Sequence, residues 1–129
     1  MAADSRGKLY AWGYSLAFGF SEVSGECLCL PTHITLEEEE EEDGGARGPT
    51  WVARVACGSR HSLAFTAAGA CLVAGSNSGG QLGLGRDMVG QRISSFARLS
   101  VGGEEQPAAR VLSGDGGTNS TILLAAGPQ

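Results

Sequence analysis

The stretch HSLAFTAAGACLVAGSNSGGQLGLG, residues 61–85, sets two short apolar runs either side of Ala-Ala-Gly and follows them with closely spaced glycines. That punctuation constrains the fold more than any other feature. Each run lasts only about six residues, too few for a helix that packs on its own, and a glycine inside a helix costs about 1 kcal/mol. Short runs bounded by glycine read as strands. The pair across Ala67 to Gly69 reads as an antiparallel hairpin.

The same punctuation recurs along the chain. GKLYAWGYS (7–15) aligns with GACLVAGSN (69–77) at an offset of 62, and PTHITL (31–36) resembles FARLSV (96–101) at an offset of 65. RVACGSRHSLAF (54–65) resembles RVLSGDGGTNSTILL (110–124), starting at an offset of 56 and needing an insertion. Self-similarity at such a period is the signature of a repeat architecture. WVARVAC, HSLAFT, CLVAGS and ARLSV are four predicted antiparallel strands. LYAWGY and THITL are the third and fourth strands of the copy before, ARVLS and STILLA the first and second of the copy after. Four short antiparallel strands per repeat describe one propeller blade.

The predicted fold is therefore all-β, with antiparallel blades of a partial β-propeller. The predicted units are a partial first repeat at 1–36, an acidic and glycine-rich loop at 37–48, a complete repeat at 49–106 and the start of the next repeat at 107–129. A propeller takes about four to eight blades, hence about 240 residues at least, against the 129 present. The expectation is a piece, or a short splice-type product, of a longer propeller. Its open blade faces and sheet edges invite self-association or aggregation.

Composition narrows the function classes. The net charge is −5, but the run Glu37 to Asp43 holds seven acids, and the remainder sums to +2. Such a run repels itself and reads as an extended solvated loop. The scattered basic residues form no concentrated face, so direct nucleic-acid binding is not expected. No apolar run reaches the length of a membrane span, and the first residues lack a secretory pattern, which points to an intracellular protein, cytoplasmic or nuclear. Cys27, Cys29, Cys57 and Cys71 then read as buried small hydrophobes. CLC has the wrong spacing for a zinc knuckle.

Glycine-rich segments also cradle phosphates, and residues 75–85 invite that test. A dinucleotide fingerprint needs G-x-G-x-x-G, but Met88 stands where the third glycine belongs after Gly83 and Gly85. A Walker loop needs Lys and Ser or Thr after the last glycine, whereas Arg86 and Asp87 follow Gly85. Glycine here serves backbone geometry at the turns of the blade.

At this point VACGSRHSLAFTAAGACLVAGSNSGGQLGLG, 55–85, resembles the repeat of the regulator of chromosome condensation family. The resemblance is carried by Cys57, Gly58, His61, Ser62, Gly75, Asn77, Gly80, Gln81, Leu82, Gly83 and Gly85, with the family's Trp-Gly pair supplied by Trp12 and Gly13 in the first copy. Ala74 replaces the tryptophan in the middle copy, and Asn119 stands for the histidine in the last. The resemblance implies a seven-bladed propeller whose members act as guanine-nucleotide exchange factors for small GTPases or as interaction platforms. It implies no cofactor, and no basic tail for chromatin is present.

Individual residues add little chemistry. Ser62, adjacent to His61 in a strand, points to the opposite face, so His61 reads as a structural histidine near the propeller axis. No catalytic, cofactor or metal set is expected. Trp12 and Trp51 read as packing between blades, and Arg60, Arg86 and Arg92, in or beside turns, are candidate partner contacts. The leading reading is a protein-interaction module that promotes nucleotide release from a small GTPase in a full-length context, without being an enzyme. Two others stay open: a propeller-based or nucleotide-binding enzyme using 75–85, and a non-functional truncated isoform. Direct nucleotide binding separates the enzyme class from the first.

Overall fold

The computed structural model describes residues 1–14, 27–36, 50–101 and 110–127. The acidic run at 37–43 lies outside the described residues. Among the described residues nine strands form three antiparallel sheets. The first sheet has the order β1 (Ala2–Ala3), β2 (Leu9–Tyr14), β3 (Cys27–Ile34). The second, complete sheet has the order β4 (Val52–Cys57), β5 (His61–Thr66), β6 (Cys71–Ser76), β7 (Arg92–Leu99). The third pairs β8 (Arg110–Gly116) with β9 (Thr121–Ala126). The only helical segment among the described residues is a single 3₁₀ turn, Arg86–Met88. The fold is a partial β-propeller: strands two to four of one blade, a whole blade, and strands one and two of the next.

The three sheets are copies at backbone level. In β2 the pairing to β3 slips between Ala11 and Gly13; in β6 the pairing to β7 slips between Val73 and Gly75, offset by 62. Gly13 and Gly75 have φ of 105° and 110°, a region that an L side chain rarely enters, so each bulge needs its glycine. The hairpin turns match too. Asp4 Oδ1 accepts the backbone N–H of Lys8 at 3.0 Å, and Thr66 Oγ1 accepts that of Ala70 at 3.0 Å, from equivalent positions.

Four sequence expectations need correction. The first sheet contains a second-position strand, β1, because Ala2 and Ala3 pair with Tyr10 and Leu9. The fourth strands begin earlier than expected, at Cys27 and Arg92, because pairing resumes beyond each bulge. The last copy needs no insertion. Its pairing slips between Val111 and Ser113 as the middle copy's slips between Val52 and Arg54, a uniform offset of 59. Gly117 N–H to Ser120 O (2.9 Å) accordingly repeats Gly58 N–H to His61 O (2.9 Å), so Ser120, not Asn119, stands at the histidine position. Finally, Cys71 alone among the described thiols is buried; Cys29 and Cys57 lie on edge strands and are exposed. Burial pushes the Cys71 thiol up to about 11.

Two apolar layers lie between the sheets. Leu9, Ala11 and Ile34 meet Val52, Ala64 and Leu72 in one, with Met1, Ala3 and Phe96 at its margin. Leu63, Phe65, Cys71, Val73 and Leu82 meet Val111 in the other, with Leu99 and Leu123. All six residues of β5 are buried, since alternate side chains enter alternate layers. Each fully buried Leu or Phe contributes about 1.5–3 kcal/mol. Main-chain bonds cross both seams at equivalent places: Val52 N–H donates to Gly7 O (2.9 Å) and Val111 N–H to Gly69 O (2.8 Å).

Candidate functional site

The turn between β6 and β7 is organised by one side chain. Asn77 is fully buried; its Nδ2 donates to Met88 O at 2.8 Å and its Oδ1 accepts Leu82 N–H at 3.0 Å. Its main chain adds a bond to Gln91 O (3.0 Å) and accepts the N–H of Gly80 (3.2 Å) and Gly90 (2.9 Å). Gly83 N–H closes the next turn on Gly80 O at 3.0 Å, and Gly85 leads into the 3₁₀ turn. Leu82 is carried into the apolar layer, where it is fully buried.

This geometry tests the phosphate reading directly. The N–H groups of Ser76, Asn77, Ser78, Gly79, Gly80, Leu82 and Gly83 all donate within the protein. An anion cradle needs several amides aimed outward together, and these are spent on the turn itself. The nucleotide-loop alternative is not favoured.

Beside the turn sits a polar clasp between blades. His61 is fully buried, and its Nε2 lies 3.0 Å from Thr121 Oγ1. The Thr121 hydroxyl donates its one proton to Gln81 O at 2.7 Å. Nε2 must then be a protonated donor to the Thr121 oxygen. Burial lowers the basicity of His61, outweighing a hydrogen bond to the Ser120 backbone that raises it. A Cβ on Gly58 would collide with the ring and lie 2.5 Å from Gly117 O, and one on Gly116 would lie 2.5 Å from Gly58 N. Ser62, next in β5, is also fully buried, within the blade. Thr121, which completes the clasp, carries no sequence signal by itself. The hydroxyl at the equivalent Ser62 is the pattern that points to it.

Three predicted contact residues fall on the same rim. Ser76 pairs with Arg92, and Ser76 N–H donates to Arg60 O at 2.9 Å, so Arg60 and Arg92 flank Ser76 at the end of the blade from which the Asn77 turn projects. Arg86 lies in that turn, and all three side chains are exposed. From Gly58 to Arg92 the one carboxylate is Asp87. The tryptophans lie elsewhere: Trp51 packs over Gly7 at the first seam, half exposed, and Trp12 is 41 % exposed on the outer face of the first sheet. Among the described residues no group of three His, Cys, Asp or Glu gathers as metal ligands, and no helix is long and apolar enough to cross a membrane.

Comparison with known proteins agrees with this geometry. Residues 52–81, from the start of β4 through Gln81, match the Regulator of chromosome condensation (RCC1) repeat. The chain is 32 % identical over 104 residues to the ultraviolet-B receptor UVR8 of Arabidopsis thaliana, a match covering 80 % of this chain and 21 % of the receptor. It superimposes on Prp20p from Saccharomyces cerevisiae, a protein characterised for binding Gsp1p and histones, with a TM-score of 0.71 at 16 % identity over 98 % of this chain and 28 % of Prp20p. Human WBSCR16 gives 0.69 at 23 % identity over 95 % of this chain and 28 % of that one. The chain thus spans about a fifth of the receptor and little more than a quarter of the solved structures. With its Asn77-centred turn, recurring bulges and repeated seam, the chain carries a regulator of chromosome condensation repeat at 52–81 and shares the propeller fold of proteins built from such repeats, presenting one whole blade and parts of two others.

Proposed function

We propose that this chain is part of a protein-interaction module whose arginine-bearing rim docks an acidic surface of a protein partner, a small GTPase. The observation that carries the reading is the row Arg60–Ser76–Arg92 with Arg86 in the adjoining turn, which buried Asn77 holds through its bonds to Met88 O and from Leu82 N–H. A rigid rim loses little side-chain and loop freedom on binding, and Arg suits recognition of carboxylates. The binding of Prp20p to Gsp1p and histones, and of yeast RCC1 to Kap60, supports a protein as the partner class.

Such a module needs no covalent step. It accelerates nucleotide release by binding the empty GTPase more tightly than the loaded one, since the coupling is reciprocal. Its place of action is the cell interior. The test mixes the chain with small GTPases loaded with fluorescent GDP. Faster release, abolished by the combined Arg60→Glu, Arg86→Glu and Arg92→Glu variant and weakened by salt, supports the reading. Binding of free labelled nucleotide by the chain itself, or no response to the triple variant, refutes it.

A further inference from the structure

The arginine rim is tied to the neighbouring blade as well as to its own. Ser59 N–H donates to Gly117 O at 3.3 Å, and the Thr121 hydroxyl donates to Gln81 O at 2.7 Å. Ser59 adjoins Arg60, and Gln81 lies in the turn that carries Arg86. The Thr121 oxygen is itself fixed by the proton it accepts from His61 Nε2 at 3.0 Å, on a ring fully buried in β5. All these groups belong to the complete blade and the hairpin packed on it. We propose that Thr121 is a positioning residue: from the neighbouring blade, it sets the turn that presents Arg86 beside Arg60. Given the docking role proposed for the rim, on which this inference rests, the partner engages these arginines fully only while the two blades are locked together.

The turn needs a hold from outside because its own bonds only close it. Asn77 binds Met88 O and Leu82 N–H through its side chain and the N–H groups of Gly80 and Gly90 through its carbonyl, so both ends of the turn meet at one point. None of these bonds leaves the blade. Gly80, Gly83, Gly85 and Gly90 have φ between 65° and 94°, a region that glycine enters and leaves without steric penalty. A Cβ on Gly85 or Gly90 would meet no atom within 4 Å, so on both flanks of Arg86 the backbone stands clear of packed neighbours among the described residues.

The orientation of that stretch is handed to it from residues 79–83. There the turn meets the next blade: a Cβ on Gly79 would lie 3.9 Å from Asn119 Cβ, Gln81 Oε1 accepts Gly79 N–H at 2.8 Å, and Gln81 O takes the Thr121 proton. Leu82 follows at once and is sunk in the apolar layer. Without the hydroxyl, Asn77 and Leu82 still close and anchor the turn, but nothing polar fixes its tilt against the β8–β9 hairpin. Arg60 and Arg86 then have more freedom to lose on docking, and each immobilised long side chain weakens binding. Because one hydroxyl serves both His61 and Gln81, the seam and the rim cannot loosen separately.

Hydrogen exchange on the free chain and GDP release from a loaded small GTPase test this together. In Thr121→Val the amides of Gly79, Gly80, Leu82 and Gly83 should exchange about tenfold faster while those of β6 keep the wild-type rate. Stimulated GDP release should weaken about tenfold, and Thr121→Ser should restore both. With Arg60→Ala and Arg86→Ala already in place, Thr121→Val should change release by less than about twofold, because the hydroxyl acts through those arginines. Equal losses with and without the arginines, or unchanged exchange at 79–83, would overturn the proposal, since either marks a hydroxyl that serves stability alone. If the wild type stimulates release from no GTPase, the docking role fails, and exchange at 79–83 alone decides whether Thr121 holds the turn. Should Thr121→Val lose the wild-type circular dichroism, Thr121→Cys, whose thiol is a weaker donor, should give smaller shifts in the same directions, and their absence would overturn the proposal equally.

Discussion

Replacing Thr121 with Val tests the clasp between blades. The side chains have nearly the same shape, so the layer around Leu123 and Val111 is left filled, and only the hydroxyl disappears. Two groups then lose their partner: His61 Nε2–H, formerly 3.0 Å from the oxygen, and Gln81 O, formerly 2.7 Å away. Both belong to residues at most 4 % exposed. A buried polar group left unmatched costs about 1–3 kcal/mol. The pair, at a half-buried Thr121, should cost about 2–4 kcal/mol, a large share of the stability of any small domain. In urea this lowers the midpoint by about 1–2 M with little change in slope. Hydrogen exchange should show the loss first in β8 and β9, because the clasp joins that hairpin to the complete blade. Thr121→Ser keeps the oxygen and should recover most of the loss. A Val variant within about 0.5 kcal/mol of wild type, with β9 exchange unchanged, would refute the assignment.

Three further outcomes follow from the same geometry. His61 is less basic folded than free, so stability is fully present above its unfolded value near 6.5 and is lost as pH falls toward and through the lower folded value; urea midpoints at pH 7.5 and pH 5 should differ, and His61→Gln should shrink the difference. Asn77→Ala removes the bonds to Met88 O and from Leu82 N–H, costing about 2–4 kcal/mol, and limited proteolysis should cut within 78–91 well before the strands. Gly58→Ala puts a methyl against the His61 ring and Gly117 O, and the thermal midpoint should fall by an amount equal to about 1–3 kcal/mol of overpacking.

The blade was legible where side-chain alternation and backbone need coincide. Leu9 and Ala11 repeat as Cys71 and Val73 with the glycine two places on, so both the strand and its bulge announce themselves at one offset. The Asn77 turn was legible for a like reason: its residues are dictated by specific bonds and positive φ. The last copy misled because the dipeptide Arg-Val occurs at 54–55 and at 110–111, while the valines that occupy equivalent seam positions are Val52 and Val111. A surface arginine cannot distinguish those registers; a buried seam position can. β1 was invisible because two alanines carry no strand preference, and their pairing is set by the turn that Asp4 holds. The thiols misled because alternation reveals which strand a residue joins, not whether that strand lies at a sheet's rim, as the strands of Cys29 and Cys57 do.

The bond from a valine amide to a glycine carbonyl, made at both seams, uses only groups that almost every amino acid possesses. Substitution can therefore rewrite the neighbouring side chains without erasing the instruction that sets one blade against the next. A chain only 16 % identical to a solved structure can then follow the same spatial course. What selection must preserve at these junctions is room for two main chains to touch, and that demand is met by many sequences.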